Sequence, residues 1–332
     1  MSRSQPPPSS RTLLLVVGVG RSGTSLLTGI LGQFGLHIPQ PEINADSTNP
    51  RGFGEPRWVV DFHTRLLRER RVTVNDARPA AWQVTGELTQ SDELRGWLGT
   101  QLESGPVVAV KDPRTVWFLP LWQRAAAELG ADTAFVTMLR HPAEIVRSAR
   151  TSYGTWQGEA SRAAACLNVM LETERATRNA PRSFVRHEDL LADWHREIRR
   201  VGATLRLPAL QEAERLAAVD QFVDPGLHRS RARWDELDVP NRLRDLADEV
   251  WTQVQRLPVA DGPELHAILD TLRAAYQQLY DESEKIAQSS ITAALPRGAR
   301  APAGRGGRLL RLLPPGMRQR LRSRLRRLRG RG

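Results

Sequence analysis

The chain of 332 residues contains one cysteine, Cys166, and two lysines, Lys111 and Lys285, among 48 basic residues. A single cysteine allows neither an internal disulfide nor a thiolate metal cluster, and the sequence predicts no metal site. No stretch approaches the roughly 20 consecutive apolar residues that a membrane-spanning helix needs. Residues 1–10 are polar and proline-rich without the apolar core of a secretion signal, so we expect a disordered tail. These absences favour a cytoplasmic protein.

Acidic residues are missing from the end of the chain. Residues 297–332 hold thirteen arginines and no acid, so residues 1–296 carry a net charge of −2, the difference between +11 and +13. In residues 308–331 leucines recur between arginines with the spacing of a basic amphipathic helix. We expect residues 296–332 to form a tail that binds an anionic membrane peripherally, at its inner face. The alternatives are a disordered solubilising tail and a nucleic-acid contact, which the lack of aromatic residues in the tail disfavours.

A lysine is also missing from a glycine-rich turn near the N-terminus. The turn follows an apolar segment and nearly matches the nucleotide-binding pattern G-x-x-x-x-G-K-S/T. Gly18 and Gly23 have the required spacing and Ser25 the final place, but Thr24 stands where lysine contacts the phosphates of a nucleoside triphosphate. The cation of this turn is instead Arg21. A strand, a glycine-rich turn and a helix start predict a cradle of backbone N–H groups for an anion.

A second apolar segment ends with a basic residue. Residues 134–139 have the pattern of a buried strand, Arg140 follows it, and Pro142 suits the first turn of a helix. Ser148 lies eight positions after Arg140, inside that predicted helix. A guanidinium group and a hydroxyl suit a phosphate dianion, so this pair is a second candidate anion site.

Strand and helix patterns alternate along the chain. Strands are predicted at residues 13–17, 106–110, 134–139 and 183–186, and helices between and beyond them at residues 58–70, 91–103, 115–129 and 159–178. The alternation predicts an α/β fold of the P-loop type, a parallel β-sheet with helices on both faces. Residues 241–295 are predicted to be helical throughout and to form a C-terminal layer on the same core, so we expect one domain over residues 11–295.

The glycine-rich turn resembles the 5′-phosphosulfate loop of sulfotransferases, whose pattern is Arg/Lys-Ser-Gly-Thr/Ser-Thr/Ser. Arg140 and Ser148 resemble the strand-end arginine and helix serine with which this family holds the 3′-phosphate of its donor. The resemblance covers roughly residues 11–235 and implies a metal-free transferase that uses 3′-phosphoadenosine-5′-phosphosulfate (PAPS). It implies that the donor is bound by Gly20, Arg21, Ser22, Gly23, Thr24, Ser25, Arg140 and Ser148.

The resemblance also implies residues for the transfer step. Lys111 matches a lysine near the sulfuryl bridge in cytosolic members, and Arg21 would stabilise charge on the departing phosphate. Pro113 stands where those members carry a histidine base, so the base must be another residue. Residues 49–55 resemble the N-P-x-G-F/Y-x-E segment of bacterial members, and we expect Glu55 to be the base, a role that burial favours by raising a carboxyl pKa.

Other assignments of the base stay open at this point. The remaining candidates are Glu42, Asp46, Asp112 and His63. Glu55 itself has a purely structural alternative, an ion pair with Arg51, Arg57 or Arg114.

The resemblance implies further donor contacts late in the chain. His187 stands where the family has an aromatic residue beside adenine, and its imidazole can stack there; the alternative is a histidine that only begins a helix. Arg229 or Arg231, in a basic loop, would reach the 3′-phosphate.

The expected function is transfer of a sulfuryl group to a hydroxyl of a small molecule, a sugar or a glycolipid, with residues 36–104 shaping the acceptor pocket. One alternative is a P-loop small-molecule kinase that uses ATP and Mg²⁺, which would require the missing lysine. The other is a non-catalytic adaptor that binds membrane or nucleic acid through the basic tail.

Overall fold

Four parallel strands form the centre of the protein. The computed structural model describes residues 11–49, 51–88, 90–154, 157–223 and 233–294. Its strands are Thr12–Val17 (β1), Val107–Lys111 (β2), Asp132–Leu139 (β3) and Arg182–Arg186 (β4). They lie in the order β2-β1-β3-β4, and each neighbouring pair is parallel. The parallel sheet predicted from the sequence is confirmed.

The central strand β1 is apolar on both faces because helices cover the sheet on both sides. Leu13, Leu15 and Val17 join the larger apolar core on one side of the sheet. Leu14 and Val16 join a second apolar core on the other side. The strand is therefore an uninterrupted apolar run instead of an alternating one.

The helices lie on both faces of the sheet, as predicted. In chain order they are Thr24–Gln33 (α1), Arg57–Arg70 (α2), Ala81–Gly86 (α3), Asp92–Leu102 (α4), Leu119–Glu128 (α5), Pro142–Tyr153 (α6), Glu159–Ala176 (α7), His187–Ala192 (α8), Trp194–Leu205 (α9), Pro208–Gln211 (α10), Ala217–Phe222 (α11), Asn241–Val254 (α12), Leu257–Ala260 (α13) and Pro263–Ala294 (α14). Among the described residues, short 3₁₀ helices span Pro113–Phe118 and Trp234–Glu236. Side chains of α1 and of α8 to α11 pack on the face of Leu14, and those of the other helices pack on the face of Leu13.

The register of the sheet brings the carboxyl ends of the strands together. Val16 of β1 lies opposite Lys111, the last residue of β2. Leu139, the last residue of β3, lies opposite Arg186, the last residue of β4. The residues that follow the strands therefore share one edge of the sheet, the edge at which open α/β proteins bind ligands.

Prolines interrupt two segments that the sequence predicted as continuous helices. Residues 115–129 fold as the end of a 3₁₀ helix and then α5, because Pro120, in the first turn of α5, has no N–H to bond the preceding turn. Residues 241–294 form three helices, with Pro258 in the first turn of α13 and Pro263 at the start of α14. The predicted C-terminal helical layer is nevertheless confirmed, since α12 packs into the larger apolar core.

The chain divides into two compact units, residues 1–280 and residues 281–332. Of the second unit the structure describes residues 281–294, which are helical. The predicted N-terminal tail, residues 1–10, and the predicted basic tail, residues 296–332, lie outside the described residues. None of the described helices combines the length and the apolar character needed to span a bilayer.

The contact between α9 and α10 depends on a glycine and yields a test of the fold. A Cβ atom on Gly202 would lie 2.2 Å from the backbone nitrogen of Gln211. We expect Gly202→Ala to lower the free energy of unfolding by about 1–3 kcal/mol, since neither backbone can move without disturbing the core. Urea denaturation measures this change.

Gly99, in α4, provides the matched control because the atom nearest to its added Cβ is Leu129 Cδ2 at an ordinary 3.6 Å. Gly99→Ala should leave the free energy of unfolding unchanged or raise it by up to about 1 kcal/mol through helix propensity. Equal unfolding midpoints for the two variants would contradict the packing described for α9 and α10.

Candidate active site

The turn between β1 and α1 presents a helix N-terminus to the edge of the sheet. Gly23 precedes α1 with a φ of 104°, a left-handed conformation that glycine adopts without a side-chain clash. A Cβ there would lie 2.5 Å from His187 Cδ2, so the turn and the start of α8 are in close contact. The first turn of α1 has backbone N–H groups without helical partners, the feature that attracts an anion.

The predicted site residues converge on one cleft at this edge. The cleft is lined by Gly20, Arg21, Gly23, Thr24, Ser25, Leu26, Asn49, Phe53, Glu55, Lys111, Pro113, Arg140, Ser148, Tyr153 and His187. Of the predicted donor contacts, Ser22 is fully buried and does not line the cleft. Arg229 and its alternative Arg231 lie outside the described residues. The roles of all these residues stay predictions.

The two candidate anion sites adjoin each other. Arg21 Nε donates a hydrogen bond to Ser148 Oγ at 3.2 Å, and the Arg21 guanidinium lies 5.6 Å from the centre of the Tyr153 ring. Arg140 Nη1 donates to the backbone oxygen of Arg21 at 3.1 Å, and its Nε donates to Glu144 Oε2 at 2.9 Å. The residues that would hold the two ends of one nucleotide are therefore in direct contact with each other.

Lys111 is held by three acceptors. Its Nζ donates to Glu55 Oε1 at 2.5 Å, to the backbone oxygen of Phe53 at 3.0 Å and to Ser25 Oγ at 3.1 Å. One ammonium group thus joins β2, the first turn of α1 and the loop before α2. Each of its three N–H groups has a partner, which is what a buried ammonium requires.

Glu55 is the only carboxylate among the described residues that line the cleft. Burial raises the pKa of its carboxyl group above the ordinary value, and the charge of Lys111 opposes that rise. The second oxygen, Oε2, lies 3.8 Å from Arg114 Nη1. Of the three arginines weighed as structural partners of Glu55, Arg114 lies near its carboxylate, but the close partner is Lys111, which was not among those alternatives.

The four other candidate bases have partners outside the cleft. His63 and Asp112 are fully buried, and His63 Nδ1 lies 2.7 Å from Asp112 Oδ2. Because the indole N–H of Trp122 donates to His63 Nε2 at 2.9 Å, Nδ1 carries the proton and donates to Asp112. Glu42 accepts from Gln40 at 2.6 Å, and Asp46 caps the turn at Thr48 and Asn49. None of the four carboxylate or imidazole groups lines the described cleft.

Two residues near the site were not singled out for it by sequence. Tyr153, the last residue of α6, lines the cleft, and its side chain is 46% exposed. Arg114 was noted only as an ion-pair alternative, although it contacts both Asp112 and Glu55. The signal that links Tyr153 to the site is its place one and a half turns after Ser148, and no motif marks it.

Among the described residues no group of three or more histidine, cysteine, aspartate and glutamate side chains is placed to hold a metal ion. Of the described residues that line the cleft, three are cations, Arg21, Lys111 and Arg140, and one is a carboxylate, Glu55. Together with the helix N-terminus, this balance fits a multiply charged anion.

The buried Asp112 makes the stability of the protein depend on pH. Burial alone would raise the pKa of Asp112, but the hydrogen bond from His63 and the charge of Arg114 hold it at about 2, below the ordinary 3.8. A lowered pKa stabilises the folded state above pH 3.8, and this contribution is lost as the pH falls towards 2. We expect Asp112→Asn to cost about 3 kcal/mol of unfolding free energy near neutral pH.

Chemical denaturation between pH 7 and 2 measures the effect. The gap between wild type and Asp112→Asn should narrow as the pH falls below 3.8. Asp61→Asn, at an exposed position of α2, is the control and should follow the wild type. A gap that stays constant over the whole range would contradict the lowered pKa.

Comparison with known proteins identifies the family of the chain. The chain matches the sulfotransferase family over residues 14–212. Among solved structures it is similar to the sulfotransferase domain of the olefin synthase of Synechococcus PCC 7002, with 17% identity, a TM-score of 0.38, and coverage of 82% of this chain and 98% of that one. No curated protein sequence matches it. Because the family match spans more than half of its length, the chain belongs to the sulfotransferase family.

Proposed function

We propose that the chain moves the sulfuryl group of PAPS to a hydroxyl group of a small molecule, a sugar or a glycolipid. The observation that carries the proposal is the convergence of Arg21, Arg140 and Ser148 with Lys111 and Glu55 in one cleft. The first three residues suit the phosphates of an adenosine donor. The last two suit the transfer itself.

Donor binding would use the cations and backbone groups at the edge of the sheet. The first turn of α1 and Arg21 would hold the 5′-phosphosulfate, and Arg140 with Ser148 would hold the 3′-phosphate. His187 lies against Gly23 in the same cleft. Its imidazole would contact the adenine ring of the donor or the loop that holds the phosphosulfate. When bound, the donor supplies a sulfuryl group on a phosphate leaving group.

Transfer needs a base for the acceptor and a cation for the leaving group. Glu55 would take the proton of the acceptor hydroxyl while its oxygen forms the new bond to sulfur. As the bond between sulfur and the 5′-phosphate oxygen breaks, Lys111 and Arg21 would stabilise the charge left on that phosphate. The proton would thus end on Glu55, the sulfuryl group on the acceptor oxygen and the negative charge on the departing 5′-phosphate.

The acceptor would enter from the loop before α2. Asn49, Phe53 and Glu55 belong to the predicted acceptor region, residues 36–104, and line the cleft. Tyr153 lines it from α6. Apolar and polar groups at the same opening suit a ring that carries hydroxyl groups.

The donor is tested by binding of its desulfated product, adenosine 3′,5′-bisphosphate. We expect this compound to raise the melting temperature without a divalent metal, and ATP with Mg²⁺ to raise it less. Arg140→Ala should weaken binding of the bisphosphate at least about tenfold, because it removes a charge-assisted hydrogen bond. Calorimetric titration measures the affinity.

Arg147→Ala is the matched control, since Arg147 lies on α6 but pairs with Glu236 and does not line the cleft. Its affinity for the bisphosphate should equal that of the wild type. Preferential stabilisation by ATP with Mg²⁺ would instead support the kinase. Absence of binding by either nucleotide would support the non-catalytic adaptor.

The base is tested with radiolabelled PAPS and a panel of sugars, glycolipids and small hydroxylated compounds. Glu55→Gln should keep the affinity for the bisphosphate and lower turnover by a factor of about 10²–10⁴, the usual contribution of a general base. Glu69→Gln, the same change at an exposed position of α2, should leave turnover unchanged. Normal turnover in Glu55→Gln would exclude Glu55 as the base.

A further inference from the structure

Among the described residues Glu55 has two cationic neighbours, and they lie beside different oxygens of its carboxylate. Lys111 Nζ lies 2.5 Å from Oε1, and Arg114 Nη1 lies 3.8 Å from Oε2. Both cations come from one short stretch, at the end of β2 and the start of the 3₁₀ helix that follows it. A purely structural ion pair would need only one counter-ion for the buried carboxylate, and Glu55 has a second one nearby.

The two cations differ in how firmly they are held. Arg114 Nη1 donates to Asp112 Oδ1 at 2.7 Å, and its backbone N–H donates to the same oxygen at 3.1 Å. The other oxygen of Asp112 is bound to His63, which is in turn bound to Trp122 in the core. Arg114 is therefore fixed by a continuous hydrogen-bonded chain that reaches into the apolar interior.

Lys111 joins Glu55 to the anion-binding turn. Its ammonium group ends a flexible stem, and it contacts Ser25 of the anion-binding turn as well as Glu55. A phosphosulfate at that turn would compete with Glu55 for the ammonium group. Without a second counter-ion, the buried carboxylate would then take up a proton and lose its capacity as a base.

We propose that Arg114 is a positioning residue that keeps Glu55 ionised and oriented while Lys111 serves the donor. The inference rests on the proposed sulfuryl transfer. Asp112, His63 and Trp122 act through Arg114, since they hold its guanidinium in place. Arg114 does not itself line the described cleft and would act through its contact with Glu55.

The groups that face Glu55 decide the direction of the effect. Burial and the negative charge of Asp112 both raise the pKa of Glu55, whereas Lys111 and Arg114 lower it. Tyr153 faces Arg114 from α6 and interacts with its charge. Removing Arg114 therefore takes away one of two stabilising charges and leaves Asp112 opposing the ionised form.

The test is the titration of Glu55 in Arg114→Gln with adenosine 3′,5′-bisphosphate bound. Carbon-13 NMR of glutamate-labelled protein reports this titration directly, and the signal is assigned by its loss in Glu55→Gln. We expect the midpoint to rise by about one pH unit or more relative to the wild type, the usual effect of an opposite charge at this distance. The acid limb of the turnover profile should move by the same amount.

A conservative variant and a surface variant distinguish a positioning role of Arg114 from a purely structural one. Arg114→Lys should restore most of the wild-type midpoint, and Arg65→Gln, which breaks an exposed pair with Glu93, should not move it. Arg114→Met retains the apolar stem and provides the same comparison if Arg114→Gln does not fold. An unchanged Glu55 midpoint in Arg114→Gln or Arg114→Met would overturn the proposal.

Failure of the proposed function has a different signature. If the wild type does not bind the bisphosphate, sulfuryl transfer from PAPS is wrong, and the titration of Glu55 in the ligand-free protein still reports the effect of Arg114. There the shift should be smaller, because Lys111 stays on Glu55. A ligand-free shift as large as the bound one would contradict the exchange of Lys111 between partners.

Discussion

The buried ion pair between Lys111 and Glu55 holds the cleft together. Glu55 belongs to the connection between α1 and α2, whose described residues form no helix and only isolated bridges. Its backbone is fixed by scattered hydrogen bonds, such as those from Ile43 N–H to the backbone oxygen of Glu55 and from Arg57 N–H to the backbone oxygen of Pro41. These bonds do not satisfy the buried carboxylate of Glu55, and a charge removed from water is costly unless a counter-ion and hydrogen bonds replace the water. Lys111 supplies both, because it bonds the carboxylate of Glu55 and the backbone oxygen of Phe53. Since Lys111 ends a strand of the sheet, the position of the loop is set by the most rigid part of the protein.

The same logic extends to the other cations of the cleft. Arg140 is paired with Glu144, and Arg21 donates to the hydroxyl of Ser148. A phosphate dianion carries more negative charge and more acceptor oxygens than the carboxylate of Glu144 or the neutral hydroxyl of Ser148. In the proposed function the phosphates of the donor would replace these partners. Until the donor binds, the partners would keep the two guanidinium groups oriented. Preorganised donors of this kind reduce the reorganisation that binding requires.

Much of the fold and part of the site were predictable because they depend on local spacing. The strand, glycine turn and helix start around Gly23 form a continuous segment, and Arg140 with Ser148 are eight residues apart on a strand end and the next helix. Such pairs need only the geometry of regular elements. The partner of Glu55 was not predictable in this way, since Lys111 is 56 residues away in sequence and the intervening loop follows no periodic pattern. Helix boundaries failed where prolines interrupt apolar periodicity, as at Pro120 and Pro258.

Burial and hydrogen bonding distinguish the candidate bases from one another, and neither can be read from the sequence. Pro113 replaces the histidine that cytosolic members of the family carry two residues after the lysine, and His63 is not a substitute. Both of its nitrogens are engaged, one by Trp122 and the other by Asp112, so accepting a proton would break a hydrogen bond in the core. A carboxylate is less basic than an imidazole in water, so a base such as Glu55 would need burial to raise its pKa without protonating it altogether. This balance needs a counter-ion that stays in place during the reaction. In the proposed mechanism, the Asp112 and His63 pair would therefore serve a purpose other than proton transfer, since it fixes the guanidinium that would keep Glu55 ionised.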